Sequence, residues 1–310
     1  MKSQIQNIGR KPRIAIMLPC LNEEATLAKV IRDFGRLYPE TDIYVFDNGS
    51  TDKSAEIAKR EGAILVPVPR KGKGNVVRRM FELVEADVYV MVDSDDTYDP
   101  TCLPKLVDPL LSGHADMVVA TRLEDHTKDA FRRLHRFGNR FFLILINTVF
   151  GSHLTDIFSG YRSMSRYLVK NIPLFRDGFE IETELTIYSL INGFTIQEIR
   201  APYKERPANS HSKLKTFSDG YKILLSVVWL LRDLRPLVFF GGLATTFLCL
   251  SLISTSNFQS LFLTIIAAGF GTIGLTLNTM NVKFAELQMI QRRHSGNQSE
   301  VERVSEKFAA

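Results

Sequence analysis

The chain has 310 residues, of which 45% are hydrophobic and 24% are charged, and its formal net charge is +5. This hydrophobic content provides a core for one large domain or two smaller ones and excludes a disordered or fibrous protein. The charge is too small to favour a nucleic-acid partner, and the basic residues gather near an apolar C-terminal part, as in contacts with anionic lipid headgroups.

From Ile14 to about Thr121, short apolar runs alternate with stretches of helical spacing. The predicted strands are Ile14–Leu18, Ile43–Asp47, Ala63–Val66, Val88–Asp93 and Met117–Ala120. The predicted helices between them are Ala25–Leu37, Lys53–Arg60, Asn75–Val84 and Leu103–Leu111. This alternation predicts βαβ units and an α/β fold with a mostly parallel central sheet.

After Thr121 the order of elements becomes less regular. We predict helices over Arg132–Phe150 and Glu182–Asn192, and a strand over Thr195–Arg200 that adds to the sheet. Phe217–Leu231 combines apolar and basic residues, which is typical of an amphipathic helix lying on a membrane surface. A core helix of the soluble domain has the same pattern, so both interpretations remain open.

The C-terminal part has no charged residue between Arg235 and Lys283. It contains two segments, Leu237–Ile253 and Leu261–Asn278, each long enough for a transmembrane helix of about 17–25 residues. Basic residues flank the pair on both outer sides, so the positive-inside rule predicts a hairpin with both ends in the cytoplasm. A buried helical hairpin of a soluble protein is the alternative. The polar tail after His294 is expected to be unstructured.

These patterns divide the chain into five parts. They are an N-terminal tail (1–12), a catalytic domain (13–214), an interfacial helix (215–235), two transmembrane helices (236–282) and a polar tail (283–310). The N-terminus lacks the apolar segment of a signal peptide, so we expect a multi-pass protein of the inner (cytoplasmic) membrane with a cytoplasmic catalytic domain. Three scattered cysteines match no metal or redox spacing and indicate reduced, buried side chains: Cys20, Cys102 and Cys249.

Carboxylates follow the most apolar predicted strand, at Asp93, Asp95 and Asp96. The ends of such strands emerge at the edge of an open sheet where ligands bind. Clustered carboxylates repel each other, and an oxygen-only site suits Mg²⁺ or Mn²⁺, which share their coordination with substrate phosphates. The alternative is an acidic loop that only solvates the end of the strand.

Other strand ends carry polar groups as well. Leu18–Glu24 follows the first strand as a proline-stiffened turn, and Asp47–Asp52 follows the second. Asp47 is placed to accept from a nucleobase N–H or a ribose hydroxyl, while Ser50 or Thr51 is expected to cap the next helix. A turn with a helix cap and no ligand is the alternative for this segment.

Two basic segments suit phosphate groups. In Lys71–Asn75 the glycines allow close approach, and Lys73 is placed to meet a phosphate near a helix N-terminus. In Arg206–Leu214 an arginine and a lysine are placed to grip a lipid phosphate or a diphosphate. A solvated basic loop and ordinary juxtamembrane basic residues are the respective alternatives.

Taken in order, these motifs resemble family 2 glycosyltransferases: Pro19-x-x-Asn22-Glu23-Glu24, Asp47-x-Gly49-Ser50-Thr51-Asp52, Gly72-Lys73-Gly74 and Asp93-Ser94-Asp95. Later motifs resemble the polyprenyl-phosphate branch with dolichyl-phosphate mannose and glucose synthases: Ala120-Thr121-Arg122, Asp156-x-x-Ser159-Gly160-Tyr161-Arg162, Gly178-Phe179-Glu180-x-Glu182-x-Glu184-Leu185 and Ser212-Lys213-Leu214. The resemblance covers about Arg13 to Leu231, and the paired apolar segments fit members with a C-terminal membrane anchor.

The resemblance implies an A-type glycosyltransferase fold, an inverting reaction and specific roles for residues. The implied metal ligands for Mg²⁺ or Mn²⁺ are Asp93, Asp95 and Thr97. The implied donor-binding residues are Pro19, Asn22, Glu23, Asp47, Lys73 and Asp93. The implied catalytic or phosphate-binding residues are Asp95, Arg122, Asp156, Arg206, Ser212 and Lys213. Asn48 departs from the pattern, since many relatives have a second Asp there, and this leaves the choice of nucleobase open.

These observations predict transfer of a hexose from a nucleoside diphosphate sugar, UDP-glucose-like or GDP-mannose-like, to a polyprenyl phosphate at the cytoplasmic membrane face. A different lipid or glycan acceptor is one alternative, although Trp229 lacks the Q-x-x-R-W context of chain-forming synthases. A non-catalytic membrane scaffold is the other. The expected partners are the sugar donor, the lipid acceptor and the bilayer, without nucleic acid; homo-oligomerisation is left open.

Overall fold

The computed structural model describes residues 10–122, 130–207, 213 and 216–309, but not the side chains of 130–138, 216–219, 285–286 and 288–309. The chain divides into two compact units, Met1–Val227 and Val228–Ala310.

The first unit contains a seven-stranded sheet with the strand order β3-β2-β1-β4-β6-β5-β7. Its strands are β1 (Ile14–Cys20), β2 (Asp42–Asp47), β3 (Ile64–Pro67), β4 (Val88–Met91), β5 (Met117–Arg122), β6 (Arg162–Ser165) and β7 (Ile196–Ala201). All neighbouring pairs are parallel except those of β6, which runs antiparallel to both β4 and β5. The prediction of a mostly parallel α/β sheet is therefore confirmed.

Helices cover both faces of this sheet. The helices of the unit are α1 (Leu27–Leu37), α2 (Ser54–Arg60), α3 (Lys73–Leu83), α4 (Leu103–Leu111), α5 (Ala130–Phe150), α6 (Arg166–Asn171) and α7 (Ile181–Ile191). One apolar core joins α1, α2 and α4 to one face, and a second core joins α3, α6 and α7 to the other. All four residues of β4 are buried because they lie between these two cores. Helix α8 (Thr216–Leu234) crosses into the second unit.

The sequence pattern missed β6 and α6. The four residues of β6 are Arg-Ser-Met-Ser, which have neither an apolar run nor a clear alternation, yet all four are buried. Hydrogen bonding to β4 and β5 on either side makes this segment a strand, and such contacts are not visible in local sequence. Strand β4 also ends at Met91, two residues earlier than predicted, so Asp93 lies in the loop that follows.

Helix α8 presents apolar residues on two sides. Val227 and Leu230 are buried, whereas Tyr221, Leu225 and Trp229 are exposed. The guanidinium carbon of Arg232 lies 4.1 Å from the centre of the Trp229 ring. A buried side and an exposed apolar side are compatible with both interpretations of this helix, a surface helix of a membrane and a packed helix.

The second unit contains α9 (Pro236–Ile253) and α10 (Asn257–Ala309), which pack against each other. Phe270 stacks on Phe240 and Phe247, and a Cβ at Gly274 would lie 2.9 Å from the Cβ of Phe240, so the helices approach closely there. Pro236–Ile253 and Asn257–Phe284 are long and apolar enough to cross a membrane, and only 11% of either apolar window is buried. Two transmembrane-length helices are therefore present where the hairpin was predicted.

Two expectations about this part were wrong. Helix α10 continues to Ala309, so the tail after His294 is helical and not unstructured; its many Glu, Gln, Arg and Ser residues do not interrupt a helix once one has begun. Cys249 is exposed, whereas Cys20 and Cys102 are buried as predicted. Cys249 lies on α9, whose apolar surface is mostly exposed.

Candidate active site

Two carboxylates stand beyond the end of β4. Asp95 is only 2% exposed, and its Oδ1 accepts hydrogen bonds from the hydroxyl of Thr97 at 2.5 Å and from the backbone N–H of Thr97 at 3.2 Å. Burial and the charge of neighbouring Asp93 raise the pKa of Asp95. An acid that is buried beside another acid favours a bound cation, because a cation relieves the repulsion between the two.

The loop that carries these acids is held by α1. The Thr26 hydroxyl donates to the carbonyl oxygen of Ser94 at 2.7 Å, and Lys29 Nζ donates to Asp96 Oδ1 at 2.7 Å. Asp96 has a φ of 59° and Asn22 has a φ of 53°, a left-handed conformation that is uncommon for residues other than glycine. Backbone strain of this kind persists where surrounding contacts impose it, and it concentrates at functional sites.

Pro19 lies within β1, and its backbone contacts the loop that follows β4. Its carbonyl oxygen accepts from the Ser94 hydroxyl at 2.8 Å. The first strand therefore positions the acidic loop through its backbone.

Lys73, the first residue of α3, lies between two carboxylates. Its Nζ is 2.7 Å from Asp93 Oδ1 and 2.6 Å from Glu182 Oε1, and its side chain is 12% exposed. Burial lowers the pKa of Lys73, but the charges of Asp93 and Glu182 raise it further, so the ammonium remains protonated. Gly160 packs against the other side of Asp93, where a Cβ would approach Oδ2 to 2.2 Å. Asp93 is thus confined between Lys73 and Gly160.

We call Asp93 and Asp95, with the loop that carries them, the acidic edge. Two cations that follow β7, Arg206 and Lys213, lie beside it. The segment after β7 runs beside the acidic loop, because Tyr203 forms a β-bridge with Tyr98 and Lys204 N–H donates to Thr97 O at 2.8 Å. Arg206 Nη2 is bonded to Asp95 Oδ2, and Arg206 Nη1 lies 3.6 Å from Glu23 Oε1.

Lys213 meets the turn that follows β1. Its Nζ lies 3.3 Å from Glu23 Oε1 and donates to Asn22 O at 2.8 Å. The predicted phosphate-binding cations Arg206 and Lys213 are therefore brought to the predicted metal and donor residues. Ser212 lies outside the described residues.

Arg122 and Asp156 form a second pair at the end of β5. Arg122 Nε donates to Asp156 Oδ2 at 2.8 Å and Nη2 donates to Oδ1 at 3.0 Å, while the N–H of Phe158 donates to Oδ1 at 2.9 Å. Burial alone would raise the pKa of Asp156, but the charge and hydrogen bonds of Arg122 bring it below the usual carboxyl range. Asp156 is consequently a weak base at neutral pH.

Asp47, at the end of β2, and Asn22, after the end of β1, both bond to the turn that follows β2. The Asp47 carboxylate accepts from Ser50 N–H at 3.2 Å, and Asn22 Oδ1 accepts from Thr51 N–H at 2.7 Å. The Ser50 hydroxyl accepts from the N–H of Asn22 at 2.9 Å, and the Thr51 hydroxyl donates to Asn22 Oδ1. Neither side chain caps α2, contrary to the prediction. Asp52 does this, since its Oδ1 accepts from the first N–H of α2, that of Ser54, at 2.9 Å.

Asn48, the departure from the family pattern, has a structural role. Its Nδ2 donates to the carbonyl oxygens of Val68 and Arg70 at 3.0 and 2.8 Å, and its Oδ1 accepts from Gly72 N–H at 2.7 Å. An ionised Asp accepts only and has no N–H to offer the two carbonyls. Asn48 therefore shapes the loop that leads into Lys73.

Sequence reasoning assigned no role to Arg162, although it lies in one of the family-like motifs. This residue is fully buried, and it donates from Nε to Ser159 O at 2.7 Å, from Nη2 to Ile157 O at 2.6 Å and from Nη1 to Thr186 Oγ1 at 2.8 Å. It thereby joins the loop that carries Asp156 to α7. The motif was visible in the sequence, but its partners were not.

The residues at the acidic edge fit a divalent cation that is shared with a ligand. Within the residues that the structure describes, no group of three His, Cys, Asp or Glu side chains forms a complete metal centre. Asp93 and Asp95 offer carboxylate oxygens, and Asp95 is paired with the guanidinium of Arg206. Oxygen donors that leave coordination positions for phosphate suit Mg²⁺ or Mn²⁺.

Comparison with known proteins agrees with this arrangement. The sequence model of Glycosyl transferase family 2 matches residues 15–172. Glycosyltransferase AglJ of Haloferax volcanii is 35% identical over 236 residues, which are 75% of this chain and 77% of AglJ. A dolichyl-phosphate hexose transferase of the same organism is 31% identical over 217 residues, which are 69% of this chain and 92% of that protein.

A solved structure shares the fold. Glucosyl-3-phosphoglycerate synthase from Mycobacterium tuberculosis, in complex with Mn²⁺, UDP and glucosyl-3-phosphoglycerate, superposes with a TM-score of 0.59 at 26% identity. The match covers 72% of this chain and 80% of that one. The expected A-type glycosyltransferase fold is confirmed, and the chain belongs to Glycosyl transferase family 2.

Proposed function

We propose that this glycosyltransferase moves a hexose from a nucleoside diphosphate sugar to a polyprenyl phosphate at the cytoplasmic face of the inner membrane, with inversion at the anomeric carbon. The observation that carries the proposal is the acidic edge at Asp93 and Asp95 with Arg206 against it. Carboxylates for a divalent cation and cationic side chains for phosphate oxygens are the two groups of residues that such a transfer requires.

The proposed donor is UDP-glucose-like or GDP-mannose-like. A related structure was solved with UDP and Mn²⁺, which supports a nucleoside diphosphate and a divalent cation here. Asp47 would accept from the nucleobase or ribose, and Asn22 and Glu23 would form the adjacent wall. Pro19 would support that wall from β1.

Asp93, Asp95 and Thr97 would hold Mg²⁺ or Mn²⁺. When bound, the ion would offset the negative charge that grows on the diphosphate as the bond to the sugar breaks. Arg206, together with Lys213 and Ser212, would exchange present partners for phosphate oxygens, since guanidinium and ammonium groups bind phosphates as well as carboxylates.

The acceptor would act largely without a general base. A phosphate monoester has a second pKa of about 6, so it is mostly dianionic at neutral pH and is already a nucleophile. Asp156 is held by Arg122 in two hydrogen bonds and its pKa is lowered. We therefore assign Asp156 the role of positioning Arg122 and the acceptor, while Arg122 meets phosphate charge.

The apolar helices would keep the enzyme beside its lipid substrate. On this proposal 13–214 is the catalytic domain, 215–235 the interfacial helix, 236–282 the two transmembrane helices, and 1–12 and 283–310 the terminal segments. Low burial of both apolar windows favours membrane spans over the core helices of a soluble protein. The dolichyl-phosphate hexose transferase among the relatives supports a polyprenyl phosphate acceptor.

The test is a transfer assay with the full-length protein in membranes. Radiolabelled UDP- and GDP-sugars are supplied one at a time with Mn²⁺ and a polyprenyl phosphate, and the lipid extract is counted. We expect one sugar nucleotide to label the lipid, EDTA to stop the labelling, and Asp95→Ala to abolish both labelling and metal-dependent donor binding.

Asp108→Asn is the matched control, because Asp108 is an exposed carboxylate on α4 away from the acidic edge. It should keep full activity. Label that enters a glycan or another lipid would support the alternative acceptors. Absence of transfer and hydrolysis with every donor would support the non-catalytic scaffold, and donor affinity unaffected by EDTA or by Asp95→Ala would contradict the metal assignment.

A further inference from the structure

Three charged side chains form a row behind the acidic edge, and we call this row the buried charge chain: Glu182, Lys73 and Asp93. Lys73 Nζ is 2.6 Å from Glu182 Oε1 and 2.7 Å from Asp93 Oδ1. The Glu182 side chain is 4% exposed, and that of Lys73 is 12% exposed. Sequence reasoning gave Glu182 no role.

Burial of this kind is costly unless every charge is compensated. Removing ions from water carries a large free-energy penalty, which is recovered only with good partners. Lys73 has two carboxylate partners, but Glu182 Oε2 is buried and makes no hydrogen bond within the described part of the chain. The charge of the fully buried Arg162 also offsets that of Glu182, but the ammonium of Lys73 is the cation bonded to the Glu182 carboxylate.

The shared ammonium affects the charge at Asp93. With Glu182 present, Lys73 is divided between two carboxylates and neutralises Asp93 only in part. Asp93, whose side chain is 26% exposed, is the member of the row that faces the acidic edge. Without Glu182, Lys73 would neutralise Asp93 alone, and the acidic edge would attract a divalent cation less strongly.

We infer that Glu182 is a positioning residue that acts by sharing Lys73, so that Asp93 is held in place for the divalent cation and is only partly neutralised. The inference rests on the proposed function, since it assumes that Asp93 serves a metal. It adds a residue from α7, on the far side of Lys73, to the set that determines metal affinity. Outer partners of metal-binding groups commonly change affinity by about 10- to 100-fold when they are replaced.

The experiment measures binding of Mn²⁺ alone to full-length protein in detergent, from the electron paramagnetic resonance signal of free Mn²⁺. Glu182→Gln keeps the shape of the side chain and an oxygen that can accept from Lys73. We expect it to weaken Mn²⁺ binding by about 10- to 100-fold. The double variant Lys73→Met/Glu182→Gln should recover most of this loss, because the ammonium that neutralises Asp93 is removed as well.

Glu85→Gln is the matched control. Glu85 is also paired with a lysine, since Lys170 Nζ lies 2.6 Å from its Oε1, but it precedes β4 and so lies at the opposite end of that strand from the acidic loop. It should bind Mn²⁺ like the wild type. Thermal unfolding of each variant separates a loss of affinity from a loss of fold, and a purely structural Glu182 would lower the unfolding temperature and leave affinity unchanged.

Four outcomes would overturn the inference. An affinity of Glu182→Gln for Mn²⁺ equal to that of the wild type would do so. A double variant that binds Mn²⁺ as weakly as the single variant would also do so. If Glu182→Gln does not fold, the comparison is made in the Lys73→Met background, where a tenfold loss on adding Glu182→Gln would contradict an action through Lys73. Wild-type protein that binds no Mn²⁺ would instead contradict the metal assignment of the proposed function, and the inference with it.

Discussion

At the residue scale, acids of the site are held by specific cations. Asp95 is bonded to Arg206, Asp156 to Arg122, and Asp93 to Lys73. On the proposed function, these ion pairs assemble the site before the substrate arrives, and the cations would exchange their carboxylate partners for phosphates. Such pre-organisation lowers the cost of aligning charged groups during a reaction.

The paired state of Asp156 leads to a prediction about pH. Its lowered pKa keeps it ionised across the neutral range, so its titration should not shape the activity. Activity should instead rise with pH up to about 6, where the acceptor phosphate becomes dianionic, and then stay level. Asp156→Asn should reduce kcat by roughly 10- to 100-fold through misplacement of Arg122 and leave this profile unchanged.

The measurement is kcat as a function of pH for both proteins, together with donor affinity. Donor affinity should be similar in the two. Complete loss of transfer with normal donor binding, or loss of the rising limb in the variant, would instead make Asp156 a general base.

At the scale of elements, the ends of parallel strands bring the loops together, and side-chain to backbone hydrogen bonds then fix each loop. The loop between β3 and α3 depends on Asn48, which makes three hydrogen bonds to its backbone. The start of α3 also lies so close to the segment before α7 that a Cβ at Gly74 would fall 1.9 Å from Arg176 O. Lys73 is positioned by these two constraints.

Asn48→Asp should destabilise the catalytic unit. The new carboxylate cannot donate to Val68 O and Arg70 O, and leaving buried polar groups unsatisfied costs about 1–3 kcal/mol. We expect a lower unfolding temperature in differential scanning calorimetry. Asn192→Asp is the control, because Asn192 is exposed and its amide donates only to Tyr188 O, so water can replace the bond. Equal stability of the Asn48→Asp variant and the wild type would refute the structural role.

At the scale of the whole molecule, the chain combines a catalytic unit with a unit of apolar helices. The proposed polyprenyl acceptor would remain in the bilayer, so an enzyme anchored there would meet it in two dimensions and at the level of the headgroups. On this proposal the second unit raises the rate with lipid substrates through its location and takes no part in the chemistry at the acidic edge.

Removal of Leu237–Ala310 tests this division. We expect turnover with a long-chain polyprenyl phosphate in vesicles to fall at least about tenfold, as expected when an effective concentration at the membrane is lost. Donor affinity and turnover with a water-soluble, short-chain prenyl phosphate should change little, and these two measurements are the control for folding. Equal turnover of truncated and full-length protein on vesicles would contradict a role for the anchor.

The sequence by itself determined the α/β class, most elements of the sheet, the two long apolar helices and the family. It did so because apolar periodicity reflects burial directly, and because motifs such as Asp93-Ser94-Asp95 stand at strand ends. Only the tertiary structure decided that Arg162-Ser-Met-Ser is a strand, that Asn48 shapes the loop before Lys73, and that Glu182 shares Lys73 with Asp93. These features depend on contacts between segments that are far apart in the chain, and local pattern carries no information about which distant side chain will become the partner.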